Sequence, residues 1–151
     1  MGQYFIDTTF LISLILENDE NHEKAVKIAH RRILEKECYL SNFVLGEVIS
    51  ILGNHLDENI SQKAYQMIID NFIILNEYDV PEFKNTAMDL YVKFKTKLSY
   101  NDCITIAIMD YHGIPDILER FGLDAGQSLI DAYLASFEGF KSASCVIDHF
   151  L

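Results

Sequence analysis

Three acidic residues stand out by where they fall in the chain. Asp7 follows the short apolar run Tyr4-Phe5-Ile6 and precedes Thr8-Thr9 and the apolar stretch from Phe10 to Leu16. Glu47 sits inside an apolar helical pattern, three residues after Val44 and four before Ile51. Asp102 comes three residues after Ser99, ahead of a run from Cys103 to Met109 that is apolar apart from Thr105. Each alone has a bland explanation: Asp7 and Asp102 as helix caps, Glu47 as a residue at the seam between core and solvent. A carboxylate among apolar neighbours is nevertheless costly without a cation or donor, and three brought together repel strongly. Their ordinary remedy is a hard divalent cation with oxygen ligands and several waters, so a convergence of these three predicts Mg²⁺ or Mn²⁺ chemistry.

Convergence requires particular elements. Tyr4-Phe5-Ile6 suits a strand buried on both faces, turning directly into a helix from Thr8 to Leu16. Glu17 to Asn21 breaks that helix, and Ala25, Val26, Ile28, Ala29, Ile33 and Leu34 mark an amphipathic helix from His22 to Lys36. Cys38-Tyr39-Leu40 is a second strand, Ser41-Asn42 a cap, and Phe43 to His55 a helix whose apolar set is Phe43, Val44, Val48, Ile51 and Leu52. After a loop at 53–59, a helix from Ser61 to Asn71 turns Ala64, Tyr65, Ile68 and Ile69 inward. Phe72-Ile73-Ile74-Leu75 is the third strand, ending in polar Asn76-Glu77. Pro81 opens a helix reaching about Lys97, Ser99 caps a largely buried one, His112-Gly113 ends it, and Ile114 to Leu118 offers a fourth strand. This alternation implies an α/β sandwich with a mostly parallel central sheet and right-handed crossovers. In such sheets ligands bind at the carboxyl ends of the strands, where Asp7 lies.

Composition narrows the function. A chain of 151 residues, 50% hydrophobic, suits one domain that buries ~68–70% of its unfolded surface. A net charge of −11 argues against gripping nucleic acid through a broad basic surface. His22, His30 and Arg31-Arg32 read first as solvated surface, and Lys93, Lys95 and Lys97 as favourable charge at a helix end; phosphate contact is the second reading of both groups. Cys38, Cys103 and Cys145 are odd in number and far apart, which predicts reduced thiols in a cytoplasmic compartment and no zinc site. The longest apolar stretch falls far short of the ~20 residues that cross a bilayer, so no membrane anchor is expected.

Ile6-Asp7-Thr8-Thr9 after a strand, Ser41-Asn42-Phe43-Val44-Leu45-Gly46-Glu47 opening a helix, and Leu98-Ser99-Tyr100-Asn101-Asp102 opening another resemble the acidic motifs of the PIN-domain family. The separations, 47 − 7 = 40 and 102 − 47 = 55, are similar to those of compact members such as the VapC-type toxin ribonucleases, and the likeness covers about three quarters of the chain. The resemblance implies a PIN-like three-layer α/β/α sandwich over residues 1–151, and a metal-dependent endoribonuclease. Asp7, Glu47 and Asp102 would hold one or two Mg²⁺ or Mn²⁺ ions for hydrolysis of RNA phosphodiesters. Thr8, Thr9, Asn42 or Ser99 would orient these carboxylates. Homodimers and a neutralising antitoxin protein are the partners the resemblance implies.

The sequence departs from the family pattern after Gly113. A simple count puts Phe121 where a fourth acid belongs; Asp124 takes the role if the connection is longer, Asp116 if it is shorter, and Asp124 is the expected fourth acid. Leu123, Leu129, Ile130, Tyr133, Leu134 and Phe137 predict an extra C-terminal helix, on which Asp131 and Glu138 imitate the third and fourth motifs; Asp148 follows a possible last strand. A haloacid dehalogenase-type phosphotransferase needs a second Asp where Thr9 stands, and is set aside. A weakly active or inactive PIN-like scaffold that binds proteins is the serious rival, favoured by the acidic surface and the absent fourth acid. A plain α/β domain whose acids never meet is the third.

Overall fold

The computed structural model describes residues 3–30, 37–94 and 98–118. The first strand, β1 (Gln3–Ile6), is the middle of the architecture. Tyr4, Phe5 and Ile6 point to alternate faces, yet are only 4%, 0% and 0% exposed, so both faces of the sheet are covered at this strand. This produces the three layers that the sequence implies. β1 pairs in parallel with β2 (Glu37–Ser41) on one side and with β4 (Asp116–Leu118) on the other; β2 pairs in parallel with β3 (Ile73–Leu75). The order is β3-β2-β1-β4, and the direction of winding reverses between β1 and β4. Open sheets of this kind form their crevice outside the carboxyl ends of the strands at such a reversal.

Helices fill the connections. From β1 the chain enters α1 (Thr8–Ile15) and α2 (His22–Ile28); from β2 it enters α3 (Asn42–His55) and α4 (Glu58–Asn71); between β3 and β4 run α5 (Glu82–Lys93) and α6 (Tyr100–His112). In α3 the buried residues Val44, Val48 and Leu52 recur every four positions, and α4, packed against this helix, buries Ser61, Ala64 and Ile68. Tyr65 and Ile69 were expected inward and are instead exposed. Two overlapping stripes are available on α4, and the one with small residues wins because it lets the helices approach. A Cβ on Gly53 would lie 3.1 Å from Ser61 Oγ, and that hydroxyl donates to the Ile49 carbonyl at 2.9 Å. The helix also starts earlier than expected, because the Asp57 carboxylate caps it by accepting from Ile60 N–H at 2.9 Å.

Other details refine the sequence reading. Pro81 is the N-cap of α5 and not a residue of its first turn. His22, expected as solvated surface, is half-buried, with Nδ1 2.9 Å from the Ser13 carbonyl, which ties α2 to α1. Helix α6 has six buried residues, Cys103, Thr105, Ile106, Ala107, Ile108 and Met109, and ends at Gly113 with φ +67°, a conformation that L side chains adopt at a cost. Edge-to-face packing of Phe83 on Tyr111, with centroids 5.3 Å apart, helps fasten α5 to α6. Cys38 and Cys103 are buried thiols. Among the described residues no helix is long and apolar enough to cross a membrane. Phe121, Asp124, Asp131, Glu138, Cys145, Asp148 and the expected extra helix lie outside the described residues, as do Arg31, Arg32, Lys95 and Lys97.

Candidate active site

Each of the three acids is placed by a turn from one element into the next. Asp7 leaves β1 in extended backbone and occupies the N-cap position of α1, but its side chain makes no capping bond to that helix. Its Oδ2 instead accepts from the Thr9 hydroxyl at 3.1 Å. Glu47 lies on α3, which starts without a linker from the last residue of β2: Ser41 closes the strand and caps the helix, accepting from Val44 N–H at 3.3 Å. Asp102 is the third residue of α6 and half of a reciprocal cap. Ser99 Oγ accepts from Asp102 N–H at 3.0 Å, and Asp102 Oδ2 accepts from Ser99 N–H at 3.1 Å.

These placements bring all three acids to one cavity of about 260 Å³. Thr8, Thr9, Phe43, Val44, Ser99, Asn101 and Thr105 complete its lining. All three carboxyl-bearing residues are half-buried. Their electrostatics show that they feel one another. The Asp7 carboxyl is raised from 3.8 to about 6, first by burial and next by the charge of Asp102, with a smaller contribution from Glu47; bonds from the Thr9 hydroxyl and Thr8 N–H oppose the rise. Glu47 is also raised, chiefly by burial, against a hydrogen bond from the Thr8 side chain and with Asp102 adding repulsion. Thr8 is thus a buried residue that opposes the rise of both carboxyls, of Glu47 through its side chain and of Asp7 through its backbone.

A profile of the PIN domain matches residues 4–121. The chain belongs to the PIN domain family. No curated protein sequence matches it. Among solved structures, the PIN domain is similar to Mycobacterium tuberculosis VapC20, a sarcin–ricin loop cleaving toxin. Identity is 20% over 90% of this chain and 97% of that one, with a TM-score of 0.72. It is also similar to VapBC2 from Rickettsia felis bound to a DNA fragment from their promoter, at 11% identity over 76% of this chain and 84% of that one, with a TM-score of 0.56.

The PIN domain also uses residues that sequence reasoning passed over. Glu77, read only as the polar end of a strand, is 9% exposed and spans the start of α3: Oε1 accepts from Asn42 N–H at 3.1 Å and Oε2 from Phe43 N–H at 3.0 Å. Two of the helix's unsatisfied donors are met by one carboxylate that arrives from the end of β3, so Glu77 positions the helix carrying Glu47. Phe43, assigned to the core, is 42% exposed at the cavity mouth. Thr105, the single polar residue in an apolar run, is buried and lines the same cavity. Its polarity was the available signal.

Among the described residues no group of three His, Cys, Asp or Glu side chains stands close enough to enclose a metal ion. The donor set nevertheless fits a hard cation. All three groups are carboxylates, they share a cavity with room for water, and their repulsion is already expressed in Asp7. Mg²⁺ is bound in this loose manner, through one or two carboxylates with several retained waters.

Proposed function

We propose that this PIN domain, comprising the whole chain 1–151, is a divalent-metal-dependent endoribonuclease that hydrolyses RNA phosphodiester bonds. The observation that carries the reading is the cavity shared by Asp7, Glu47 and Asp102, in which burial first and the charge of Asp102 second raise the Asp7 carboxyl to about 6. Asp7, Glu47 and Asp102 would hold Mg²⁺ or Mn²⁺, and Asp124 is proposed as a fourth acid. When bound, such an ion supplies an acidified water and neutralises charge at a phosphodiester. The chain's own residues prepare for it. The Thr9 hydroxyl holds Asp7, the Ser99 N–H fixes Asp102, and Thr8 favours the ionised forms of Asp7 and Glu47. Each donor stabilises an ionised carboxylate, the form that a cation needs.

A toxin ribonuclease of cytoplasmic location, acting as a homodimer and neutralised by an antitoxin protein, is the setting we propose. The fold it shares with a sarcin–ricin loop cleaving toxin and with VapBC2 supports that setting. A second reading, a protein-binding scaffold with weak or no activity, is favoured by the spread of the carboxylates. One experiment separates them: cleavage of mixed single-stranded RNA with Mn²⁺, Mg²⁺ or EDTA, for wild type, Asp7→Asn and Asp102→Asn. Cleavage that requires metal and disappears in both folded variants is expected. Wild type that binds no Mn²⁺ and leaves every RNA intact would establish the scaffold.

A further inference from the structure

A second cavity of about 170 Å³ adjoins the acidic one, and Phe43 and Asn101 line both. Its other walls include Tyr78, Tyr100, Lys84 and the Glu77 carboxylate. Its chemistry differs from that of its neighbour. Three aromatic rings stand around it, and Lys84 is the single cationic side chain among the described residues lining either cavity. Two of the rings have no evident folding role: Phe43 is 42% exposed and Tyr78 is 69% exposed.

The aromatic rings stand on backbone that is unusually well fastened for a surface turn. Asn76 Oδ1 accepts from Tyr78 N–H at 3.1 Å and from Asn42 Nδ2 at 3.0 Å, while Asn76 Nδ2 donates to Asp79 Oδ1 at 2.9 Å. Asp79 N–H closes the turn on the Asn76 carbonyl at 3.1 Å. Glu77, between Asn76 and Tyr78, grips the first two amides of α3, the second of them belonging to Phe43. The backbones at Tyr78 and Phe43 are therefore held relative to each other through Glu77 and Asn76. On the far wall, the Tyr100 hydroxyl donates to the Lys84 carbonyl at 3.3 Å, holding that ring to α5. Exposed aromatic rings carried on fastened backbone beside a cation suit an unstacked base with its phosphate, because every base has a face to stack.

We propose that this second cavity is a nucleobase subsite, which receives one unstacked base of single-stranded RNA flanking the phosphate at the acidic centre. Stacking would fall to Phe43, Tyr78 and Tyr100, and the neighbouring phosphate to Lys84. Asn101, on the rim common to both cavities, is placed to meet the sugar-phosphate link between them. The choice of RNA rests on the nuclease reading above. The position of the subsite rests on the shared walls alone. Such a subsite also gives an acidic protein a way to hold a polyanion without a basic surface, since stacking carries no charge.

The test uses the full chain and single-stranded oligoribonucleotides carrying 2-aminopurine at successive positions, in EDTA for binding and in Mn²⁺ for cleavage. Quenching is expected at one position next to the scissile bond. Tyr78→Ala should abolish that quenching and raise KM roughly tenfold, as expected for loss of one stacked base, with a smaller change in kcat. Tyr78→Phe should restore both, since it keeps the ring and drops the hydroxyl, and neither change should move Tm because the side chain is mostly exposed. An enzyme that cleaves RNA with the same KM and quenching in Tyr78→Ala overturns the subsite and leaves the nuclease standing. An equal KM penalty on double-stranded RNA, whose bases stay stacked, also overturns it. Wild type that quenches without cleaving supports the base pocket while the nuclease reading falls. Wild type that does neither overturns both.

Discussion

Asp7→Asn is expected to make the metal-free protein more stable, even though it removes a residue from the heart of the site. The cause is the raised carboxyl of Asp7, which sits near 3.8 when the chain is unfolded and at about 6 when it is folded. Between those values the native state holds more protons than the unfolded one, so stability contributed by this group is complete below about 3.8 and lost as pH climbs through about 6. Moving a carboxyl from 3.8 to about 6 corresponds to ~3 kcal/mol, the ceiling on what its ionised form costs at pH 8. Asparagine keeps the shape and an acceptor for Thr9 but not the charge. For a domain of this size the ceiling translates into a Tm gain of roughly 6–12 °C. The assay is thermal unfolding of wild type and Asp7→Asn in EDTA, from pH 4 to pH 8. The variant's advantage should be largest at pH 8 and shrink steadily as the pH falls toward 4. Manganese at saturating concentration should then reverse the order, because a ligand at about a thousand times its Kd adds about 4.1 kcal/mol to the wild type and little to a variant that cannot hold it. A variant less stable than wild type in EDTA at pH 8, or an advantage indifferent to pH, would refute the electrostatic account of the site.

Two further outcomes test the frame around the acids. Glu77→Ala removes the acceptor for two α3 amides and is expected to cost about 1–3 kcal/mol in urea unfolding, with any cleavage activity falling further as the helix bearing Glu47 loosens. Glu77→Gln, which keeps an acceptor but not the charge, should fall between. Gly113→Ala places a side chain at φ +67° with nothing within 4 Å of its Cβ, so backbone strain alone is expected to cost about 1–2 kcal/mol, and the acidic cavity should be unaffected. A large effect on metal binding there would show that α6 is coupled to its C-terminal end.

What the sequence made legible was whatever is encoded locally. Tyr4-Phe5-Ile6 announces a doubly covered strand because consecutive apolar residues can only be buried together if both faces are shielded. Ser99 and Asp102 announce a helix start because the reciprocal cap is formed by residues three apart. Gly113 marks the end of the same helix for an equally local reason. Glu77 was not legible, since its partners Asn42 and Phe43 lie 35 and 34 positions away and only the adjacency of β2 and β3 unites them. Phe43 was misassigned for the related reason that helical periodicity marks a stripe but not where the stripe runs out at a cavity mouth. On α4 periodicity allowed two faces, and the close approach at Gly53 and Ser61 decided between them.

The seating of β1 has a consequence for how this protein is born. The strand leaves the ribosome before both of its neighbours, Glu37–Ser41 on one side and Asp116–Leu118 on the other, so it must wait for more than a hundred further residues before both flanks are occupied. Pairings across such separations are slow to close, and the early product is a nascent chain with an unfilled central slot. Asp7 therefore meets Asp102 late in synthesis, and a chain truncated before α6 has no way to assemble the acidic centre, however complete its first half.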